Sequence, residues 1–223
     1  MKTQILKSEW IASEAASKKL IIVLHGRGDS PAGFRWMPGA LGFPDVNYLL
    51  LAAPDRYYTG YSWYDLPPNQ GPGIERSRSL IDTVMGEIIA HGYRTEDAVL
   101  FGFSQGCLMI LEWAGRTHHR FAGLIGISGY CYDAERLGRD MSETARHAKW
   151  LITHGTIDET LAYDVTEKQV QYLIKAGLPI EWKSYQKGHT IDDADEVPML
   201  RRWIASAFEF AAISAGSALG SRH

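Results

Sequence analysis

Along the chain, short continuous apolar runs alternate with stretches in which apolar residues return at helical spacing. The runs predict core strands over 20–25, 47–53, 97–103, 121–127, 149–154 and 180–185, with an edge strand over 3–10. Helices are predicted over 74–90, 105–115, 162–176 and 193–211. In the first helix Leu80, Ile81, Val84, Met85, Ile88 and Ile89 form an apolar stripe suited to packing on a sheet. Strand followed by helix, repeated, predicts an α/β architecture: a doubly wound, mostly parallel sheet with helices on both faces. No repeat, linker or insertion large enough for a separate lid domain interrupts it. The expected organisation is one domain over 1–213, followed by a small, polar tail over 214–223 expected to be disordered.

Composition narrows the class. With 223 residues and 45% hydrophobic content, the chain can bury a sizeable core in one domain. A formal net charge of -3 argues against nucleic acid as a partner. Two cysteines, Cys107 and Cys131, imply no disulfide framework, and no Cys or His spacing suggests a metal site. No export signal or membrane-spanning run is evident, so a soluble, cytoplasmic protein is expected.

The chemistry starts at Gly102-Phe103-Ser104-Gln105-Gly106, a G-x-S-x-G pentapeptide between the apolar run Ala98-Val99-Leu100-Phe101 and a helical run through Cys107, Leu108, Ile110, Leu111 and Ala114. A serine hydroxyl becomes a nucleophile only when a base removes its proton and a sharp turn exposes its oxygen, and flanking glycines permit such a turn. Ser104 is therefore expected at a strand-to-helix elbow. A buried serine in a tight turn is the blander reading of the same residues, and the partners decide between the two.

In this arrangement the acid and the base follow the serine in that order. Lys149 to Asp158 reads as a strand running into a loop, which sets Asp158 just past the strand end; Pro179 to Tyr185 empties into Gln186-Lys187-Gly188-His189. Both loops fall at the carboxyl edge of a parallel sheet, where open α/β sheets hold their sites. His25 precedes Ser104, and His154 precedes Asp158, so neither fits the order; His91, His118 and His119 sit at or after helix ends. Glu159 and Asp164 remain as alternative acids.

A tetrahedral intermediate also needs two backbone N–H groups for its oxyanion. One is expected from Gln105, after the nucleophile, and the other from Arg27 in the loop His25-Gly26-Arg27-Gly28-Asp29. That loop fails as a dinucleotide fingerprint because Pro31 occupies the third glycine position, and it lacks the Gly-Lys-Ser or Gly-Lys-Thr of a P-loop. Arg27-Gly28-Asp29-Ser30 spells an adhesion tetrapeptide by chance. The aromatic segment Asp55 to Gly73 is expected to face substrate through Tyr57, Tyr58, Tyr61 and Trp63, with Trp63 equally suited to anchoring the loop.

Taken in order, Leu24-His25-Gly26-Arg27-Gly28-Asp29, Ala53-Pro54, Trp63-Tyr64-Asp65, the Ser104 pentapeptide, His154-Gly155-Thr156-Ile157-Asp158 and Gly188-His189 resemble the phospholipase/carboxylesterase family, which includes acyl-protein thioesterases and small bacterial carboxylesterases. The resemblance spans roughly residues 18 to 210. It implies the α/β-hydrolase fold, Ser104, Asp158 and His189 as the triad, and Gln105 and Arg27 as oxyanion donors. The chain departs from it at Arg27, where the family usually has an apolar residue, and after the acid, where Glu159-Thr160-Leu161 replaces apolar residues and proline. The expected activity is hydrolysis of carboxylic esters with small to medium acyl chains through an acyl-enzyme, without cofactor. Its small-molecule substrate is an ester or thioester; the rival readings are an acyl-protein thioesterase or lysophospholipase, and a binding protein that kept the fold without the chemistry. The resemblance allows a homodimer, though no exposed stripe identifies an interface.

Overall fold

A computed structural model describes residues 1–220 of the chain. The strands are β1 (Ser8–Ile11), β2 (Leu20–Leu24), β3 (Asn47–Leu51), β4 (Asp55–Tyr57), β5 (Gly60–Ser62), β6 (Ala98–Phe103), β7 (Gly123–Ile127), β8 (Trp150–Gly155) and β9 (Ile180–Tyr185). The helices are α1 (Met37–Leu41), α2 (Gln70–Ala90), α3 (Gln105–Ala114), α4 (Ala134–Asp140), α5 (Glu143–Arg146), α6 (Tyr163–Lys175) and α7 (Glu196–Gly220).

Seven strands form the central sheet in the order β1-β3-β2-β6-β7-β8-β9, with β1 antiparallel to β3 and every other pairing parallel. This is the mostly parallel α/β-hydrolase sheet. The chain winds from β2 out to β3, then returns to lay β6 on the other side of β2, so the winding direction reverses between β2 and β6. Loops after those two strands diverge to opposite faces and leave a crevice at the carboxyl edge.

All five residues of β2 are buried, and they alternate between two apolar layers. Leu20, Ile22 and Leu24 pack with Leu100 of β6 and with α2, α3 and α6, while Ile21 and Val23 pack with Val99, Phe101 and, from α1 and α7, Met37, Leu200 and Ile204. Each such side chain contributes about 2 kcal/mol on leaving water, which is why the runs read as strands from sequence. Cys107 and Cys131 are free and buried, as small core residues.

The structure adds what periodicity did not predict. The edge strand is shorter than expected, because the Thr3 hydroxyl bonds the Leu6 carbonyl at 2.6 Å and Ser8 Oγ at 2.7 Å and folds residues 3–8 into a turn. The aromatic segment expected as a loop contains the β4–β5 hairpin, and α2 starts at Gln70 rather than 74. Helices α4 and α5 are too short to show a period; their caps are Asp133, accepting from Arg136 N at 2.8 Å, and Ser142, accepting from Ala145 N at 3.1 Å. Helix α7 continues past the expected end at 211 to Gly220, into the stretch expected to be a disordered tail; Ala211, Ala212, Ala215 and Ala218 have high helix propensity. Residues 221–223 lie outside the described residues.

Where β6 turns into α3, the glycines of the pentapeptide are required by space. A Cβ on Gly106 would lie 2.0 Å from the Leu24 carbonyl oxygen of β2, and one on Gly102 would lie 2.4 Å from the Gly106 oxygen. Gly106→Ala is expected to destabilise the protein by about 3 kcal/mol through this overlap with backbone. Urea unfolding measures it, and an unchanged midpoint would contradict the packing described.

Candidate active site

Ser104 stands between β6 and α3 with φ +54° and ψ -114°, a backbone conformation costing a non-glycine residue about 1–3 kcal/mol. Its N–H donates to the Ile127 carbonyl of β7 at 2.9 Å, and its own carbonyl accepts from Leu108 in α3 at 3.2 Å. The strain is thus held by the neighbouring strand and the helix. The side chain is left partly exposed at the crevice.

His189 Nε2 lies 2.9 Å from Ser104 Oγ, and its Nδ1 lies 2.8 Å from Asp158 Oδ2. The carboxylate selects the tautomer with the proton on Nδ1, leaving Nε2 as an acceptor for the serine hydroxyl. Asp158 has a fully buried side chain, yet its other oxygen accepts from the N–H groups of Thr160 and Leu161, both at 2.9 Å. Burial alone would raise its pKa; the Leu161 amide, the His189 hydrogen bond and charge, and the Thr160 amide together outweigh it and hold the carboxyl below its ordinary value. Of the alternative acids, Glu159 is exposed, and Asp164 is exposed and 3.7 Å from Lys168.

Two other histidines lie close by. His25 Nδ1 donates to the Gly26 carbonyl at 2.6 Å and its Nε2 accepts from Ala53 N at 3.0 Å, which fixes one neutral tautomer within the loop after β2. His154 Nε2 bonds the Leu161 carbonyl at 2.9 Å, bracing the turn whose amides hold Asp158. Burial is the largest influence on both imidazoles and lowers their pKa.

Gln105 opens α3, where the first N–H groups have no intrahelical acceptor. Arg27 lies in the loop after β2, and among the described residues its N–H makes no hydrogen bond. That loop curls at Gly28, φ +81°, and is tied to the hairpin by Gly28 N to the Tyr61 carbonyl at 2.8 Å and Tyr61 N to the Asp29 carbonyl at 2.9 Å. The Arg27 guanidinium rests on the Tyr57 ring, 4.1 Å from its centroid. The Gln105 side chain grips the same segment: its Oε1 accepts from Trp63 N at 2.9 Å and its Nε2 donates to the Tyr64 carbonyl at 2.8 Å.

The expected substrate-facing aromatics are placed differently. Trp63 is fully buried, with its indole N–H on the His25 carbonyl at 2.9 Å, and anchors the hairpin. Tyr61 lies between Lys7 and Arg56, with its ring centroid 5.8 and 5.1 Å from their cationic groups. Tyr58 is 88% exposed at the hairpin tip, and Tyr57 supports Arg27. None of the four lines the large cavity of about 1030 Å³ that opens beside His189. Its walls combine Phe34, Trp36, Phe103, Ile191 and Val197 with the charged Asp29, Asp193, Arg201 and Arg202. Sequence signals for these existed only as neighbours: Phe103 within the pentapeptide, Ile191 two residues after the histidine.

Among the described residues, no group of three or more His, Cys, Asp or Glu side chains is arranged to hold a metal ion, and no helix is long and apolar enough to cross a membrane. The model of the phospholipase/carboxylesterase family matches residues 7–206. The chain belongs to that family. Its members are ester-cleaving hydrolases, and this chain is one of them by membership. Acyl-protein thioesterase 1 of Schizosaccharomyces pombe is 28% identical over 186 residues, covering 77% of this chain and 83% of that protein. A probable carboxylesterase of Arabidopsis thaliana, SOBER1-like, is 24% identical over 209 residues, covering 86% and 79%. Among solved structures, Arabidopsis thaliana SOBER1 has a TM-score of 0.77 at 23% identity, covering 86% of this chain and 99% of that one. The Bacillus cereus carboxylesterase has a TM-score of 0.76 at 15% identity, covering 91% and 95%. Both structures carry the fold of this phospholipase/carboxylesterase member.

The neutral histidines make stability pH-dependent. An unfolded histidine titrates near 6.5, whereas folded His25 and His154 have lowered values, so the unfolded chain binds more protons below that pH. Stability is full above about pH 6.5 and should fall by up to about 1.4 kcal/mol per pH unit for each histidine as pH drops towards their folded values. Urea unfolding at a series of pH values reads the slope; a flat profile from about pH 7 to 5 would show these rings are not held neutral.

Proposed function

We propose that the chain is a serine hydrolase cleaving carboxylic esters of small to medium acyl chains through an acyl-enzyme. The observation that carries the reading is the His189 ring, with one nitrogen 2.9 Å from Ser104 Oγ and the other 2.8 Å from Asp158 Oδ2. In this mechanism Ser104 attacks the acyl carbonyl as His189 Nε2 takes its proton, and Asp158 holds the tautomer and stabilises the imidazolium that forms. The oxyanion meets the N–H groups of Gln105 and Arg27, each worth on the order of 3 kcal/mol of barrier. Collapse expels the alcohol, which takes the proton from Nε2; water, deprotonated by the same nitrogen, then releases the acid and restores Ser104.

The wall of Phe34, Trp36, Phe103 and Ile191 beside His189 offers a surface for an apolar acyl or alcohol group. The name of the Schizosaccharomyces pombe relative favours a second reading, hydrolysis of thioesters on acylated proteins. Turnover of matched esters and thioesters over a ladder of acyl lengths separates the two.

Ser104→Ala is expected to lower kcat/KM for p-nitrophenyl butyrate by at least about 10⁴-fold and to abolish labelling by a fluorophosphonate, with the fold retained by circular dichroism. Undiminished turnover in the purified variant sinks the assignment. Asp158→Asn should cost about 10⁴-fold in kcat by favouring the wrong imidazole tautomer; wild-type activity there transfers the acid's role elsewhere.

A further inference from the structure

The turn carrying His189 is closed by a side chain outside the three reacting groups. Glu196, the first residue of α7, is fully buried, and both of its carboxylate oxygens are engaged. Its Oε2 accepts from the Lys187 ammonium and from the backbone N–H of Asp192 at 3.0 Å. Lys187 precedes His189 and Asp192 follows it, so one oxygen atom fastens both ends of the turn that presents the imidazole. Its Oε1 accepts from the hydroxyl of Thr153 on β8, the strand that leads to Asp158. A single carboxylate therefore connects the segment delivering the base to the strand delivering the acid. Backbone contacts run alongside, with Thr156 N on the Tyr185 carbonyl at 2.8 Å and Ile157 N on the Lys187 carbonyl at 3.3 Å.

The pair is a poor choice for stability alone. The Lys187 and Glu196 side chains are 3% and 0% exposed, and withdrawing both charges from water costs enough that apolar residues of similar volume often serve as well or better. Burial depresses the Lys187 pKa, opposed chiefly by the Glu196 charge and hydrogen bond. A hydrophobic pair could fill the space, but it could not bind the Asp192 amide and the Thr153 hydroxyl at one point.

We infer that Glu196 and Lys187 are positioning residues that set the His189 imidazole between Ser104 and Asp158. The inference rests on the proposed roles of those three groups. The imidazole faces Ser104 from the β6 elbow, Asp158 from the loop after β8, and the Phe103 ring at 5.1 Å between centroids; His154 of β8 lies behind Asp158, with its Nε2 3.6 Å from Oδ2. Lys187, Glu196 and Asp192 supply charges on the side of α7, and Asp29, Asp193, Arg201 and Arg202 line the cavity beside the imidazole. Removing either half of the ion pair therefore loosens the turn and shifts the imidazole relative to Asp158, which the proton on Nδ1 reports directly.

The test compares Glu196→Gln and Lys187→Met with the wild type, by kcat and KM for p-nitrophenyl butyrate and by NMR of the low-field proton on His189 Nδ1. Both variants should lose about 10²-fold in kcat with a smaller change in KM, as a displaced base does. The low-field Nδ1 proton of His189 should shift or broaden in both variants while circular dichroism stays that of the wild type. An unmoved Nδ1 resonance, or kcat within about twofold of wild type in both variants, overturns the inference. Thr153→Val removes only the β8 contact at constant volume and serves if the charge variants do not fold. An unchanged Nδ1 proton signal and unchanged kcat in that variant also overturn it. The NMR signals report the imidazole whether or not ester is turned over, so a wild-type protein without esterase activity refutes the proposed function while leaving this inference to be judged on the resonances.

Discussion

The site depends on how closely α3 can approach the end of β2. Because Gly106 has no side chain, its backbone lies against the Leu24 carbonyl, where even a methyl group would be 2.0 Å from the oxygen. That contact starts the helix directly over the loop leaving β2, and it forces the reversal of direction to be made at Ser104. The unfavourable φ of +54° at Ser104 follows from it, offset by the hydrogen bond to Ile127 and by the first turn of α3. With the helix seated farther away, the first N–H groups of α3 would lie farther from the loop that carries Arg27.

Much of this was legible from the residues. The central sheet was readable because its inner strands are buried on both faces, and continuous apolar runs such as Leu20 to Leu24 have no other stable setting in a chain of this size, whereas the edge strands β1 and β9 are only partly buried. Ser104, Asp158 and His189 were legible through strand ends: Ser104 and Asp158 follow apolar runs and His189 follows the alternating stretch 179–185, and parallel strands bring their carboxyl ends to one edge whatever the intervening sequence. The glycines were legible in position but for a different reason. Gly102 and Gly106 are excluded from carrying a Cβ by close backbone approach, not by a left-handed conformation.

What was not legible depends on contacts between loops. The hairpin β4–β5 exists because Gly28 and Tyr61 exchange backbone hydrogen bonds with partners more than thirty residues away in sequence, roughly the scale at which no local pattern survives. Its aromatic richness suggested a binding wall, with Trp63 equally suited to anchoring, and Trp63 serves the hairpin's own attachment through the His25 carbonyl and the Gln105 side-chain amide. The cavity wall instead comes from the segment after the Arg27 loop and from the start of α7, residues whose common location emerges only when the two faces of the sheet are folded together. Glu196 was missed for the same reason, since nothing near it in sequence reveals that its carboxylate reaches Thr153 and Lys187.

Three histidines gather at this edge, and their surroundings separate them more firmly than chain order does. His25 has both nitrogens committed to backbone groups, one as donor and one as acceptor, so a proton gained at Nε2 would face the Ala53 N–H. His154 is fully buried, and its Nε2 serves a backbone carbonyl. Only His189 combines a side chain that is 20% exposed with a carboxylate on one nitrogen and a hydroxyl on the other. Asp158 completes the distinction by dividing its oxygens: one is held by the Thr160 and Leu161 amides and cannot rotate away, which leaves the other fixed on the imidazole. A carboxylate so immobilised can stabilise a positive ring without accepting its proton, because the amides that hold it in place also favour its ionised form.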